Sequence, residues 1–241
     1  RTGPMYEPCG AIQRKLTLDP GETKTVYILL GCEHSTDAAR KLASRYARSE
    51  HCDAALQETI GFWEHTLNQI TVSTPSLEMD LLMNGWLLYQ SLACRMWART
   101  AFYQAGGAYG FRDQLQDALS LLHTRPDLTK AQIKMHASHQ YIEGDVQHWW
   151  HEETERGIRT KFSDDLLWLP YAVARYVEHT GDETILEMTA PFLTSDPLEN
   201  DEHERYEETR VSDETGTIYE HCLRAIRLSL SRIGEHGLPL I

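Results

Sequence analysis

Arg112 and Asp113 stand side by side in GFRDQLQDAL, residues 110–119, and Asp117 follows one helical turn later. An arginine offers a planar fork of donors that suits phosphate or carboxylate. The glycines that precede it, Gly106, Gly107 and Gly110, allow close backbone approach to a ligand. The same stretch also reads as a plain helix start, with Asp113 as N-cap and Gln116 completing a capping box. A second acidic pair, Asp164 and Asp165, follows Ser163 in KFSDDLLWLP. Ser163 is the expected cap of that helix, with Trp168 and Leu169 in the core. Adjacent carboxyls can also titrate apart, and one that stays protonated near neutral pH is a general acid. The third stretch, EGDVQHWWHEE, carries Glu143, Asp145, His148, His151, Glu152 and Glu153. It lacks an HExxH spacing, and Gly144 with the paired Trp149 and Trp150 favours a loop that presents aromatic faces to a sugar over a metal site.

These groups need a scaffold, and the composition permits one large domain or one domain plus a piece of another. The chain has 241 residues, 41% hydrophobic and 24% charged, with a formal net charge of −13. Such an acid excess opposes general nucleic-acid binding, because the phosphate backbone would be repelled; a local basic pocket for a small anion is still allowed. No apolar run reaches a membrane span. The start, RTGPMYEPCG, has neither initiator Met nor signal-peptide pattern, which suggests an excised or processed piece. The five cysteines, Cys9, Cys32, Cys52, Cys94 and Cys222, are scattered without a CxxC pair; this predicts free thiols in a reducing compartment and no zinc site.

Along the chain, residues 11–31 alternate apolar and polar positions around Asp19-Pro20-Gly21-Glu22, which predicts two antiparallel strands and a tight turn. Helical spacing follows from Ser35 or Thr36 as cap to about residue 70. A strongly apolar helix is predicted over residues 74–99, buried on more than one side. The loop 100–111 is Gly- and aromatic-rich. Helices are expected at 113–123, 129–142, 163–181 and 217–234; residues 143–162 read as a long loop and 194–215 as a polar, acidic stretch.

Taken in order, RTAFYQAGGAYGFRDQLQD, EGDVQHWWH, FSDDLLWLPYAVARYVEHTGD, IYEHCLRAI and HGLPLI resemble glycoside hydrolase family 94, whose members are inverting β-glycoside phosphorylases, and within it the β-1,2-glucan branch. The resemblance covers nearly the whole chain. It implies a mainly α fold: residues 1–33 as the last strands of a β-sandwich, 34–75 as a helical linker, and 76–241 as the first part of an (α/α)6 catalytic barrel. It further implies that family chains continue past HGLPLI, so that later phosphate- and sugar-binding residues are absent and the 241 residues alone are inactive and prone to associate.

Residue by residue, the resemblance makes Asp164 the general acid, with Asp165 as the fallback, and Arg112 a phosphate contact. Asp113 becomes a ligand of the non-reducing-end sugar. Phe162, Gln147, His148, Trp149 and Trp150 become further substrate contacts, Phe162 standing where cellobiose-type members tend to have Trp. The implied activity is a hexosyl transfer, the reversible phosphorolysis of β-1,2-glucooligosaccharides to α-glucose 1-phosphate. An inverting hydrolase needs both an acid and a base; phosphate is already an anionic nucleophile, so one acid and a cationic pocket suffice. No cofactor or metal is expected, only inorganic phosphate as co-substrate. The expected partners are a β-glucooligosaccharide, phosphate and the remainder of a parent polypeptide. A homo-oligomer is allowed and nucleic acid is not. The expected location is the cytoplasm, or the membrane if the chain is the phosphorylase-like, chain-length-controlling module of a cyclic β-1,2-glucan synthase. A carbohydrate-binding or structural fragment without activity is the reading of another class.

Overall fold

The computed structural model describes residues 11–99 and 107–240. The N-terminal ten residues, with Cys9, and most of the Gly- and aromatic-rich loop, with Gly106, lie outside them. The chain divides into two compact units, residues 1–61 and 62–241.

In the first unit the predicted turn forms: the Glu22 N–H donates to the Asp19 carbonyl at 2.9 Å, and Gly21 takes φ +80°. The strands on either side do not. Residues 11–33 have no strand pairing and are exposed, Ile12 and Ile28 being 88% and 80% accessible. Two strands without a covering layer cannot bury an apolar face, so alternation alone does not hold a ladder together. Helix α1 (Thr36–Arg45) starts where expected, with the Ser35 hydroxyl accepting from the Ala38 N–H at 3.2 Å. The predicted helix to residue 70 is broken by a turn, after which α2 (Ser49–Leu67) begins.

In the second unit the apolar run forms one helical stretch of mixed pitch. It comprises α3 (Leu77–Leu81), a π-helical turn Leu82–Trp86, α4 (Leu87–Gln90) and a second π-helical segment Ser91–Trp97. Its expected burial does not hold: Leu92 is buried, while Leu77, Leu81, Trp86 and Trp97 are exposed. Apolar character on every side exceeds what the neighbouring elements cover.

The core is built by α5 (Phe111–Leu119), α6 (Pro126–Ala137), α7 (Asp165–Thr180) and α8 (Ile218–Ser231). Leu115, Ile133, Leu169, Val173 and Ala225 meet between them. Against these helices lies an antiparallel sheet in the order β1-β2-β3-β5. Its strands are β1 (Tyr109–Gly110), β2 (Gln147–His151), β3 (Arg156–Thr160) and β5 (Glu204–Glu208). A separate pair joins β4 (Thr189–Thr194) to β6 (Arg210–Thr217). The region read as a long loop is therefore largely a hairpin, β2 and β3, and the acidic stretch supplies two more strands. The register shifts between Gln147 and Trp149, a bulge that breaks the period-2 pattern.

Gly144 fixes the approach to β2. It sits at φ +103°, and a Cβ there would lie 2.6 Å from the Arg224 carbonyl oxygen on α8. Backbone strain and backbone overlap coincide, so Gly144→Ala is expected to destabilise the fold by about 1–3 kcal/mol. Chemical denaturation of the variant against the parent measures it; an unchanged midpoint would show that the turn relaxes freely.

Candidate active site

Two helix starts and one strand bring the chemistry together. Helix α5 begins at Phe111 with Gly110 as N-cap, three residues earlier than a cap at Asp113 requires. The cap reading of Asp113 is therefore replaced: Arg112 and Asp113 sit inside the first turn. The Gly110 N–H is instead satisfied by the Gln114 side chain. The chain entering this turn is held by Arg99, which donates to the Gly107 carbonyl and the Tyr109 hydroxyl, each at 2.8 Å. Helix α7 begins at Asp165 with Asp164 as N-cap and no side-chain capping bond, so Ser163 is not the cap. Gly181 closes the helix in a left-handed conformation.

Because α5 and α7 pack side by side, their first turns meet. Arg112 Nη1 donates to Asp164 Oδ2 at 3.1 Å, and its Nε lies 3.6 Å from Asp113 Oδ1. All three side chains are substantially exposed. Partial burial works against the Arg112 charge, but the hydrogen bond to Asp164 and the charges of Asp113 and Asp165 outweigh it and hold the guanidinium pKa above its ordinary value. Asp165 is different: only 2% of its side chain is accessible, and its Oδ2 accepts from His148 Nδ1 at 2.6 Å. That hydrogen bond raises the His148 pKa against the effect of burial, with Asp165 and Asp113 adding charge in the same direction. Of the two adjacent carboxylates, Asp164 is the exposed one.

The remaining expected contacts divide. His148 and Phe162 stay at the site, their rings 4.9 Å apart. Trp149 lies on the opposite face of β2 from Trp150, tilted against Tyr206 of β5 at 5.4 Å. Trp150 and Gln147 are turned inward. Trp150 is 2% exposed in the core, and Gln147 is fully buried, its Oε1 2.6 Å from His139 Nδ1. Strand alternation sends the second Trp inward, and the bulge beside His148 turns Gln147 in as well. Asp117, one turn further along α5, pairs with Arg95 at 2.8 Å.

The carboxylates of EGDV are committed elsewhere. Buried Arg159 donates to both Asp145 oxygens, at 2.6 and 2.7 Å, and to Glu143 at 2.9 Å. Among the described residues no group of three or more His, Cys, Asp and Glu side chains is arranged to hold a metal ion. No described helix is long and apolar enough to cross a membrane. Cys32, Cys52, Cys94 and Cys222 are free thiols.

One part of the site went unread in the sequence. Asp164, Leu167, Trp168 and Tyr171 line a shallow depression on α7. Trp168, expected in the core, is only partly buried and meets the exposed Tyr171 edge-on at 5.6 Å. The spacing i, i+3, i+4, i+7 from Asp164 is the signal that places these residues on one helix face. An acid beside an aromatic floor is a geometry suited to a sugar ring.

Comparison with known proteins agrees with this architecture. Residues 62–241 match the catalytic domain of the glycosyl hydrolase 94 superfamily, and residues 1–49 match the supersandwich domain of glycosyl hydrolase 94. The chain belongs to the glycosyl hydrolase 94 superfamily, and its catalytic-domain match coincides with the second compact unit. It is 44% identical over 235 residues to cyclic beta-(1,2)-glucan synthase NdvB of Rhizobium meliloti (strain 1021), covering 98% of this chain and 8% of that protein. It is 28% identical over 233 residues to solabiose phosphorylase of Paenibacillus borealis, covering 96% of this chain and 26% of the relative. With N,N'-diacetylchitobiose phosphorylase of Vibrio furnissii it shares 26% over 264 residues, 97% of this chain and 30% of the relative. The chain thus spans less than a third of the length of each of these relatives.

Proposed function

We propose that this chain carries the general-acid side of an inverting glycoside phosphorylase site, acting reversibly on β-1,2-glucooligosaccharides and phosphate to give α-glucose 1-phosphate. The observation that carries the reading is the meeting of Arg112 and Asp164 across two helix starts. Phosphorolysis needs one proton donor for the leaving oxygen and one cation for the nucleophile. Asp164 gives its proton to the glycosidic oxygen as the bond from that oxygen to the anomeric carbon breaks. A phosphate oxygen held by Arg112 bonds to that carbon from the opposite face, so a β-glycoside yields an α-phosphate. Arg112 also offsets the repulsion between phosphate and the neighbouring carboxylates. Asp113 holds sugar hydroxyls, and Phe162, Trp149 and the Trp168–Tyr171 surface offer faces to the rings. The family's phosphorylases support the reaction class; the similarity to a cyclic beta-(1,2)-glucan synthase supports the linkage.

The same similarity favours a second setting for this chemistry: a phosphorylase-like module that trims chains within a cyclic β-1,2-glucan synthase. Membrane spans and a transferase domain in the full-length protein distinguish it from a stand-alone phosphorylase. In both settings the remaining barrel helices, the remainder of the sandwich and the other phosphate ligands belong to the complete polypeptide.

Arg112 gives a direct test. Arg112→Ala in the full-length protein is expected to lower kcat/KM for phosphate by about 10- to 100-fold, the equivalent of one lost hydrogen bond to a charged group. Arg112→Lys restores only part, since the planar fork is lost. Initial rates at varied phosphate and saturating oligosaccharide measure this. Unchanged phosphate dependence in the Ala variant removes Arg112 from the phosphate site.

A further inference from the structure

The turn that carries Asp164 is held from outside its own helix. Asp164 makes no capping bond at the start of α7, and Ser163 does not cap it either. By contrast, α1, α3 and α8 each start with a side chain, Ser35, Ser76 or Thr217, bonded to the first turn. At α7 one imidazole from the sheet meets both Asp165, next to the acid, and Phe162, two residues before it. His148 Nδ1 donates to Asp165 at 2.6 Å, and its ring lies 4.9 Å from that of Phe162. Asp165 is buried, and its second oxygen, Oδ1, has no hydrogen-bond partner among the described residues. Loss of the His148 donor would leave a buried carboxylate uncompensated, and such a group either takes up a proton or moves toward water. Movement toward water would shift the turn that carries Asp164.

We propose that His148 is a positioning residue for the general acid, gripping Phe162 and Asp165 so that Asp164 is held at the distance proton transfer requires. The proposal rests on Asp164 being the acid. His148 reaches the turn because the β2 bulge lies between Gln147 and Trp149, next to it in the chain. The charged groups that act on it are Asp165 on α7 and Arg112 and Asp113 on α5. His148 acts through Asp165 and Phe162 and takes no part in bond making.

The test uses the full-length protein, a β-1,2-glucooligosaccharide and inorganic phosphate. His148→Ala is expected to lower kcat by about 10- to 100-fold, the scale of a misplacement of about 1 Å in a reacting group. KM for both substrates should stay within a few-fold. His148→Asn keeps an amide N–H near the Nδ1 position and is expected to recover a large part of kcat. The Asn variant also keeps the buried carboxylate satisfied, so it reads the proposal even where the Ala variant folds poorly. A His148→Ala kcat within two-fold of wild type overturns the proposal, as does an Asn variant no better than Ala. A raised oligosaccharide KM at unchanged kcat also overturns it, making His148 a sugar contact. Asp164→Asn, assayed in parallel, separates the two levels. If it too leaves kcat intact, the choice of acid has failed; if it alone abolishes turnover, only the role of His148 has.

Discussion

Asp164→Asn in the full-length protein is expected to lower kcat for phosphorolysis by about 10²–10⁴-fold, the usual contribution of general acid catalysis. The substitution is nearly isosteric, and the side-chain oxygen that accepts from Arg112 is retained, so the turn between α5 and α7 should keep its geometry. Only the transferable proton is lost. The deficit should therefore depend on the leaving group. A glucosyl fluoride, whose departure needs little protonation, should react with phosphate far closer to the wild-type rate than an oligosaccharide does. Asp165→Asn offers the contrast. Asp165 is buried and bound to His148, so its replacement disturbs the turn itself and should slow both kinds of substrate. An Asp164→Asn enzyme within a few-fold of wild type, beside an Asp165→Asn enzyme rescued by the fluoride, would move the acid to Asp165.

Trp150→Ala should act on the fold instead of on substrate affinity. Trp150 stacks on His139 at 3.8 Å and on Tyr109 at 5.2 Å, and meets His136 and Phe111 edge-on. Burial pushes His136 down to about 3 and His139 to about 4, so both imidazoles are neutral near pH 7 and suit an apolar wall. The indole thus joins β1, β2, α5 and α6 at one point. Its truncation is expected to cost about 3–5 kcal/mol, transfer and cavity contributions together. Calorimetric or denaturant unfolding measures this. Were Trp150 a sugar contact, the variant would keep its stability and show a raised oligosaccharide KM. Trp149, on the other face, should show that second pattern.

The two acidic motifs were legible in sequence because helix starts are local events. An Arg-Asp pair after glycines and a Ser-Asp-Asp turn place charged groups at helix N-termini wherever the helices end up. That Arg112 reaches Asp164 depends on α5 and α7 being neighbours, and motif order suggested this only through the family resemblance. Single-residue boundaries were less legible. Ser163 looks like a cap, but in the fold Asp164 occupies the cap position and its side chain turns to Arg112. The β2–β3 hairpin was hidden because the bulge beside His148 interrupts alternation, and adjacent Trp149 and Trp150 look alike in composition. Only the pleat decides that one faces Tyr206 and the other the core. The acidic strand β5 was hidden for another reason: it is only partly covered, so it has no apolar face to advertise. Residues 11–31 match part of the supersandwich domain, yet they form no strand pair. Alternation was present, but no partner layer covers it among the described residues.

The proposed reaction transfers glucose to phosphate and not to water. Phosphorus NMR on the full-length protein, supplied with a β-1,2-glucooligosaccharide and inorganic phosphate, tests it most directly. The expected result is growth of an α-glucose 1-phosphate resonance at the expense of inorganic phosphate, with the oligosaccharide shortened in step. Release of free glucose at an unchanged phosphate signal would rule out phosphorolysis and identify a hydrolase.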